Sequence, residues 1–311
     1  MVERGPVRTA THLTPPPRHH VDAAHGSRRR LAATYVVSRR TDSGPPRVIR
    51  RGLRLRSTLP AMNLQLCYSD AYARQVEARV VAVEAADAPL VVLDSTVFYP
   101  GGGGQPSDQG TLLRAADGRT WKVRAARKSA AEIVHELEPG AEPPAVGDRL
   151  RVDLDWARRH ALMRTHTALH ALCGVVWRDY GALVTGGNME PGAGRMDFEF
   201  ERMGGDLVDA IEATVNAELD AARPVRVNVL PRAEAFAIPD LIRTKVNLLP
   251  EGISEIRTIE IVGLDLQADG GTHVANTSEV GRIRVTGYES KGRINKRIRI
   301  ALEEPGGSGL T

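Results

Sequence analysis

Two hydrophobic spacings follow one another along this chain, after an opening stretch that sustains neither. From Met62 to about Asp155 the apolar positions come in short runs of strand type. Val76–Val83 and Leu90–Leu93 are rich in β-branched residues, and Leu150–Leu154 alternates apolar with polar. Turn signals such as Ala116-Asp117-Gly118 and Glu138-Pro139-Gly140 separate such pieces, a spacing that fits a small β-barrel. After Trp156 the period lengthens. Ala157 to about Tyr180 is rich in Ala, Leu, Arg and His and free of proline, which predicts a helix. A second helix is expected over roughly Gly205–Ala222, where Leu207, Ile211, Val215 and Leu219 recur at four-residue spacing. Strands are expected at Met196–Phe200, Val225–Val229, Ile256–Ile261, Val280–Val285 and Ile294–Ile300. The fold class is therefore α+β, with a small N-terminal barrel at residues 62–155 and an α+β domain at 156–303.

Residues 1–61 stand apart. They hold seven of the 19 prolines and 13 Arg with no Lys, against only Glu3, Asp22 and Asp42. Such a segment cannot bury enough apolar surface to offset its ordering entropy, so disorder is expected. It reads as a basic RNA-binding arm, an Arg-rich transit peptide, or sequence upstream of a start at Met62; the last is preferred. Residues 304–311, with Gly306-Gly-Ser-Gly309, are expected to be disordered too. The split changes the meaning of the +4 formal charge over 311 residues: the N-terminal segment carries +10 and the remainder −6. A basic pI is thus no property of the globular body. Two cysteines without a CxxC pair argue against a disulfide framework and fit a reducing, cytoplasmic location. No apolar run approaches the roughly 20 residues of a membrane helix, and no obligate protein partner is evident.

Candidate chemistry gathers in three motifs. In His166-Thr-Ala-Leu-His170 the two imidazoles lie four apart, on one face of a helix, and can reach a single ion. Thr167 stands where a metalloprotease would carry its glutamate. In Asp269-Gly-Gly-Thr-His273 the glycines Gly270 and Gly271 let the chain turn tightly, bringing Asp269 and His273 toward one point and leaving backbone N–H groups free for an oxygen. Taken alone, each motif is more often two partly exposed histidines or a plain glycine turn. The third motif runs from Phe98-Tyr99-Pro100 through four glycines, including Gly102 and Gly103, to Gln105-Pro106. Four glycines are costly to order, so a close approach of the backbone to another surface is expected. Two basic clusters, Arg158/Arg159/Arg164 and Lys291/Arg293/Lys296/Arg297/Arg299, are candidate phosphate contacts or merely solvated faces.

The motifs in this order are similar to those of the AlaX family of free-standing alanyl-tRNA editing proteins. Phe98–Asp108, Met163–His170, Arg195–Phe198, Gln267–Gly281 and Ser290–Arg297 carry the likeness, which covers about Met62 to Glu303. The resemblance implies a hydrolase that removes mischarged serine, and glycine as a further candidate, from alanine tRNA. It carries zinc ligands over onto His166, His170 and His273. Where the family commonly has cysteine this chain has Asp269, and a carboxylate is an acceptable zinc donor. Asp269, Thr167 and Thr272 are the catalytic candidates. Gly102, Gly103, Gln105, Arg164, Thr165, Gly270 and Gly271 are the substrate-binding ones, with a threonine hydroxyl reading the serine hydroxyl that alanine lacks. One Zn2+ per chain and tRNA as the partner follow. A tRNA-binding module with a structural metal, and a zinc hydrolase of another ester, remain as alternatives.

Overall fold

The computed structural model describes residues 64–245, 249 and 252–303. The expectations for residues 1–61 and 304–311 lie outside them. The short strands β1 (Leu64–Gln65) and β4 (Ser95–Thr96) pair in parallel beside a barrel. That barrel is closed by β2 (Gln75–Glu84), β3 (Leu90–Leu93), β5 (Gly110–Leu113), β6 (Thr120–Ser129), β7 (Glu132–Leu137) and β8 (Arg149–Leu154), in the spatial order β2-β3-β7-β6-β5-β8. Alternation places Val80, Val123, Leu150 and Val152 inside, where Phe98, Leu112, Ile133 and Leu137 complete the core. Closure leaves no unpaired strand edge. The turns at Gly118 and Gly140 take φ of +74° and +76°, as the turn signals require.

Helix α1 (Trp156–Tyr180) starts at Asp155, whose side chain accepts from Arg158 N, and stops at Gly181 in the left-handed region. With α2 (Gly205–Asp220) it packs on the sheet β14-β15-β10-β9, formed by β9 (Val184–Glu190), β10 (Ala193–Glu199), β14 (Ile283–Ser290) and β15 (Asn295–Leu302). Between these elements in the chain, β11 (Val225–Pro231), α3 (Arg232–Ala237), β12 (Glu255–Ile261) and β13 (Asp265–Ala268) form a smaller layer. The α+β architecture with an N-terminal barrel is therefore as expected. One strand moved: Val280–Val285 begins only at Ile283, because Asn276 and Glu279 close a capping box that coils Thr277–Glu279 into a 3-10 turn.

His135 on β7 is buried in the barrel, between Thr96 Oγ1 at 2.8 Å and Val91 O at 3.1 Å. Burial pushes its imidazole down from 6.5 to about 4. The unfolded chain therefore takes up a proton below pH 6.5 that the folded chain refuses until about pH 4. Stability from this group is complete above pH 6.5 and falls as pH drops toward 4, by about 3 kcal/mol in total. Urea unfolding of the His135→Gln variant between pH 7 and 4 is expected to show a shallower pH dependence than the parent. Equal slopes would exclude the effect.

Candidate metal centre

Helical periodicity sets His166 and His170 one turn apart on the buried face of α1, their rings 5.1 Å apart. The loop after β13 delivers the other half. His273 stacks on His166 at 4.2 Å and meets His170 edge-on at 4.7 Å. One donor atom from each of His166, His170, Asp269 and His273 falls within 4.8 Å of the other three, so the group could hold a metal ion. Asp269 Oδ1 lies 3.6 Å from His166 Nε2, and its Oδ2 lies 3.1 Å from His273 Nε2.

The outer edges of the rings are anchored. His166 Nδ1 meets Gln105 Oε1 at 2.9 Å, His170 Nδ1 meets Asp265 Oδ2 at 3.1 Å, and His273 Nδ1 meets Thr167 Oγ1 at 3.2 Å. With Nδ1 occupied in this way, the Nε2 lone pairs of His166 and His170 are left for a cation, the arrangement that orients histidine ligands in metalloproteins, and His273 Nε2 faces Asp269 Oδ2 at 3.1 Å. Burial drives His166 well below its ordinary range and His273 down to about 4. His170 is raised: burial pulls it down, but its bond to Asp265 and the charges of Asp269 and Asp265 outweigh that. Burial alone would raise Asp269, and the surrounding imidazoles hold it well below the carboxylate range. Neutral His166 and His273 beside an ionised Asp269 are the protonation states that a divalent cation requires, and His170 would give up its proton to an ion that bound there. The donor set fits such an ion.

The glycine loop closes one side of the centre. Gly101 to Gly104 all take positive φ, from +58° to +142°, and Gly102 pairs both ways with Gln105 across the turn. A Cβ on Gly103 would stand 3.8 Å from Asp269 Oδ1, and Gly104 O accepts from Met189 N at 3.1 Å. The turn delivers Gln105 inward, almost fully buried. Its Oε1 also accepts from Thr272 N at 3.1 Å, and its Nε2 donates to Thr272 Oγ1 at 2.9 Å. Asp269 Oδ2 accepts from Gly271 N at 2.6 Å, fastening the Gly270–Gly271 turn.

Other candidates are placed elsewhere. Thr165 donates to Ala161 O and accepts from Gly192 N, tying α1 to the β9–β10 hairpin. Arg164 directs Nε and Nη2 at Val280 O. The Arg158/Arg159/Arg164 phosphate cluster is corrected by burial: Arg159 is fully enclosed and ion-paired with Asp108, which also accepts from Tyr99 N. That pair locks the glycine loop to the first turns of α1. In the other cluster Lys296 is buried and donates to Gly292 and Arg293 carbonyls, whereas Arg297 and Arg299 lie on the open face of the sheet. Two residues escaped the sequence reading. Asp265 fixes His170, and Arg257 donates to the carbonyls of Asp269 and Gly271 at 3.1 and 2.8 Å, clamping the loop. Alternation on β13 puts Asp265 and Gln267 on one face, where Gln267 Nε2 donates to Asp265; that was the available signal.

The family model for class II (A) tRNA synthetases matches residues 47–158, and the one for the second additional domain of threonyl and alanyl tRNA synthetases matches 256–299. The alanyl-tRNA editing protein AlaX-M of Methanosarcina acetivorans is 37% identical over 241 residues, covering 76% of this chain and 98% of that protein. The chain belongs to the AlaX-M family of alanyl-tRNA editing proteins. The relative in Saccharolobus solfataricus is 34% identical, over 76% of this chain and 98% of its own. The alanine–tRNA ligase of Thermofilum pendens is 38% identical over 72% of this chain, which spans only 24% of the ligase. Among the described residues no helix is long and apolar enough to cross a membrane.

Proposed function

We propose that this protein is a trans-editing aminoacyl-tRNA hydrolase that removes serine, and secondarily glycine, from mischarged alanine tRNA. The observation that carries the reading is the convergence of three imidazoles and Asp269 against the glycine loop, in a chain of this family. Zinc is the proposed ion: an N/O donor set suits it, and ester hydrolysis needs no redox chemistry. Bound there by His166, His170, His273 and Asp269, it would supply Lewis acidity to the ester or to a water. The chain's own groups do the rest. Gln105 holds His166 and the Thr272 amide together, so the glycine loop and the metal loop move as one. Thr167 orients His273 through Nδ1 and accepts from Val274 N. We assign the reading of the serine hydroxyl to Thr272 and Thr167, the two threonines whose hydroxyls are tied to the ligand histidines, directly to His273 or through Gln105 to His166. Residues 62–155 would serve as the barrel that carries the glycine loop, and 156–303 as the hydrolytic unit, with tRNA as partner in the cytoplasm.

Four protein donors also suit a closed structural metal, and that second reading leaves the chain a tRNA-binding module. Deacylation of serine-, glycine- and alanine-charged alanine tRNA separates the two. Serine release is expected to be fastest, to stop on chelation and to return with one equivalent of zinc. A metal-loaded protein that binds tRNA without releasing serine would establish the structural reading.

A further inference from the structure

On the open face of the four-stranded sheet, Arg195 on β10 stands directly across from Arg299 on β15. Like charges in register across a strand pair repel, and proteins ordinarily avoid them. Arg195 and Arg299 line a pocket of about 420 Å³ together with Asn188 and Thr286, and Glu190 is the only acid among its lining residues. The same row explains the shape. Asn188 pairs with Arg195 on one side, and on the other Gly287, opposite Arg299, contributes no side chain; Thr286 sits at the register shift beside it. A Cβ at Gly287 would meet nothing within 4 Å.

The carboxylates nearby pair with this row but are shared with other cations. Asp197 accepts two bonds from Arg297, at 2.7 and 2.8 Å, and Arg195 reaches it only at 3.2 Å. Glu289 serves Arg299, Lys291 and Arg297 at 2.6, 3.3 and 3.7 Å. Asp197 and Glu289 thus answer to four cations, and with Glu190 in the wall three acids face four cations. An arginine fork with a polar amide and a hydroxyl beside it matches the oxygens of a phosphodiester.

Position gives the pocket its meaning. Asn188 and Met189 are stacked on the glycine loop, since a Cβ at Gly104 would stand 3.4 Å from Asn188 Cα, while Gly103 faces Asp269. Pocket and metal centre therefore lie on two sides of the same two-glycine step. We infer that the Asn188–Arg195–Thr286–Arg299 pocket is a phosphodiester subsite, gripping a backbone phosphate of the substrate's single-stranded 3′ end while the ester lies at the metal centre. The inference rests on the proposed deacylase reading and adds the subsite that positions its substrate.

The test uses the full metal-loaded chain and uncharged alanine tRNA, either intact or lacking its last three nucleotides. Arg195→Gln with Arg299→Gln should weaken binding of intact tRNA by about tenfold or more and make the log–log salt slope shallower by about 1. Truncated tRNA should bind parent and variant alike, and inorganic phosphate should compete only with the intact form. Glu190→Gln, which removes the one acid from the wall, should tighten binding of intact tRNA. In deacylation the double variant should raise KM more than it lowers kcat, with metal content unchanged. Undiminished binding of intact tRNA, or an equal loss for truncated tRNA, would overturn the inference while leaving the deacylase reading intact. A parent that neither binds nor deacylates tRNA would overturn both.

Discussion

Gly271→Ala is expected to empty the metal centre without unfolding the protein. The added Cβ would stand 2.3 Å from Cε1 and 2.4 Å from Nδ1 of His166, and 2.8 Å from Gln105 Oε1. No carbon can remain there. Because His166 is stacked on His273 at 4.2 Å, its ring cannot retreat while keeping both its bond to Gln105 and its aim at the ion. Metal affinity should fall by about 100-fold or more, since both a ligand and its orienting partner are displaced. The stability cost should be that of one overpacked methyl, about 1–3 kcal/mol. Gly270→Ala is the control, because a Cβ at that position meets nothing within 4 Å. Metal analysis and thermal melts of the two variants decide the matter. A fully metal-loaded Gly271→Ala protein would show that the loop can yield where the packing says it cannot.

The second large effect concerns the donors. His166→Ala removes one imidazole and leaves Asp269 Oδ1 without its 3.6 Å neighbour, so metal and deacylation should vanish together. Asp269→Ala removes one of the four donors and deprives Gly271 N of its acceptor at once. Metal affinity should then drop roughly 10- to 100-fold. Asp269→Cys should retain the metal and activity, because thiolate is a zinc donor at least as good as carboxylate. Metal-to-protein ratios measured beside single-turnover deacylation distinguish these cases. Full activity in a metal-free His166→Ala protein would end the metal-dependent mechanism; an unaffected Asp269→Ala protein would remove only Asp269 from it.

Much of this architecture can be read along the chain, for a reason local to each element. The 3.6-residue period puts His166 and His170 on one face without knowledge of anything else, and Gly270-Gly271 permits the turn that returns His273 toward Asp269. Richness in β-branched residues at Val76–Val83 and alternation at Leu150–Leu154 locate strands within a residue or two of Gln75–Glu84 and Arg149–Leu154. Strands such as Val184–Glu190, with two central glycines and a polar face, carry no comparable signal.

What the chain does not disclose lies between elements. Gln105 reaches His166 across 61 residues and Thr272 across 167, and no pattern confined to one strand or helix reports such a contact. The fate of the cations was equally hidden. Arg159 and Arg299 look alike in sequence, yet one is walled in against Asp108 and the other lies across from Arg195 on an open sheet. Charge type and spacing are written in the sequence. Which charges meet a carboxylate, which meet water and which meet each other depends on strand register and on how the barrel seats against α1, and those are properties of the packed chain alone.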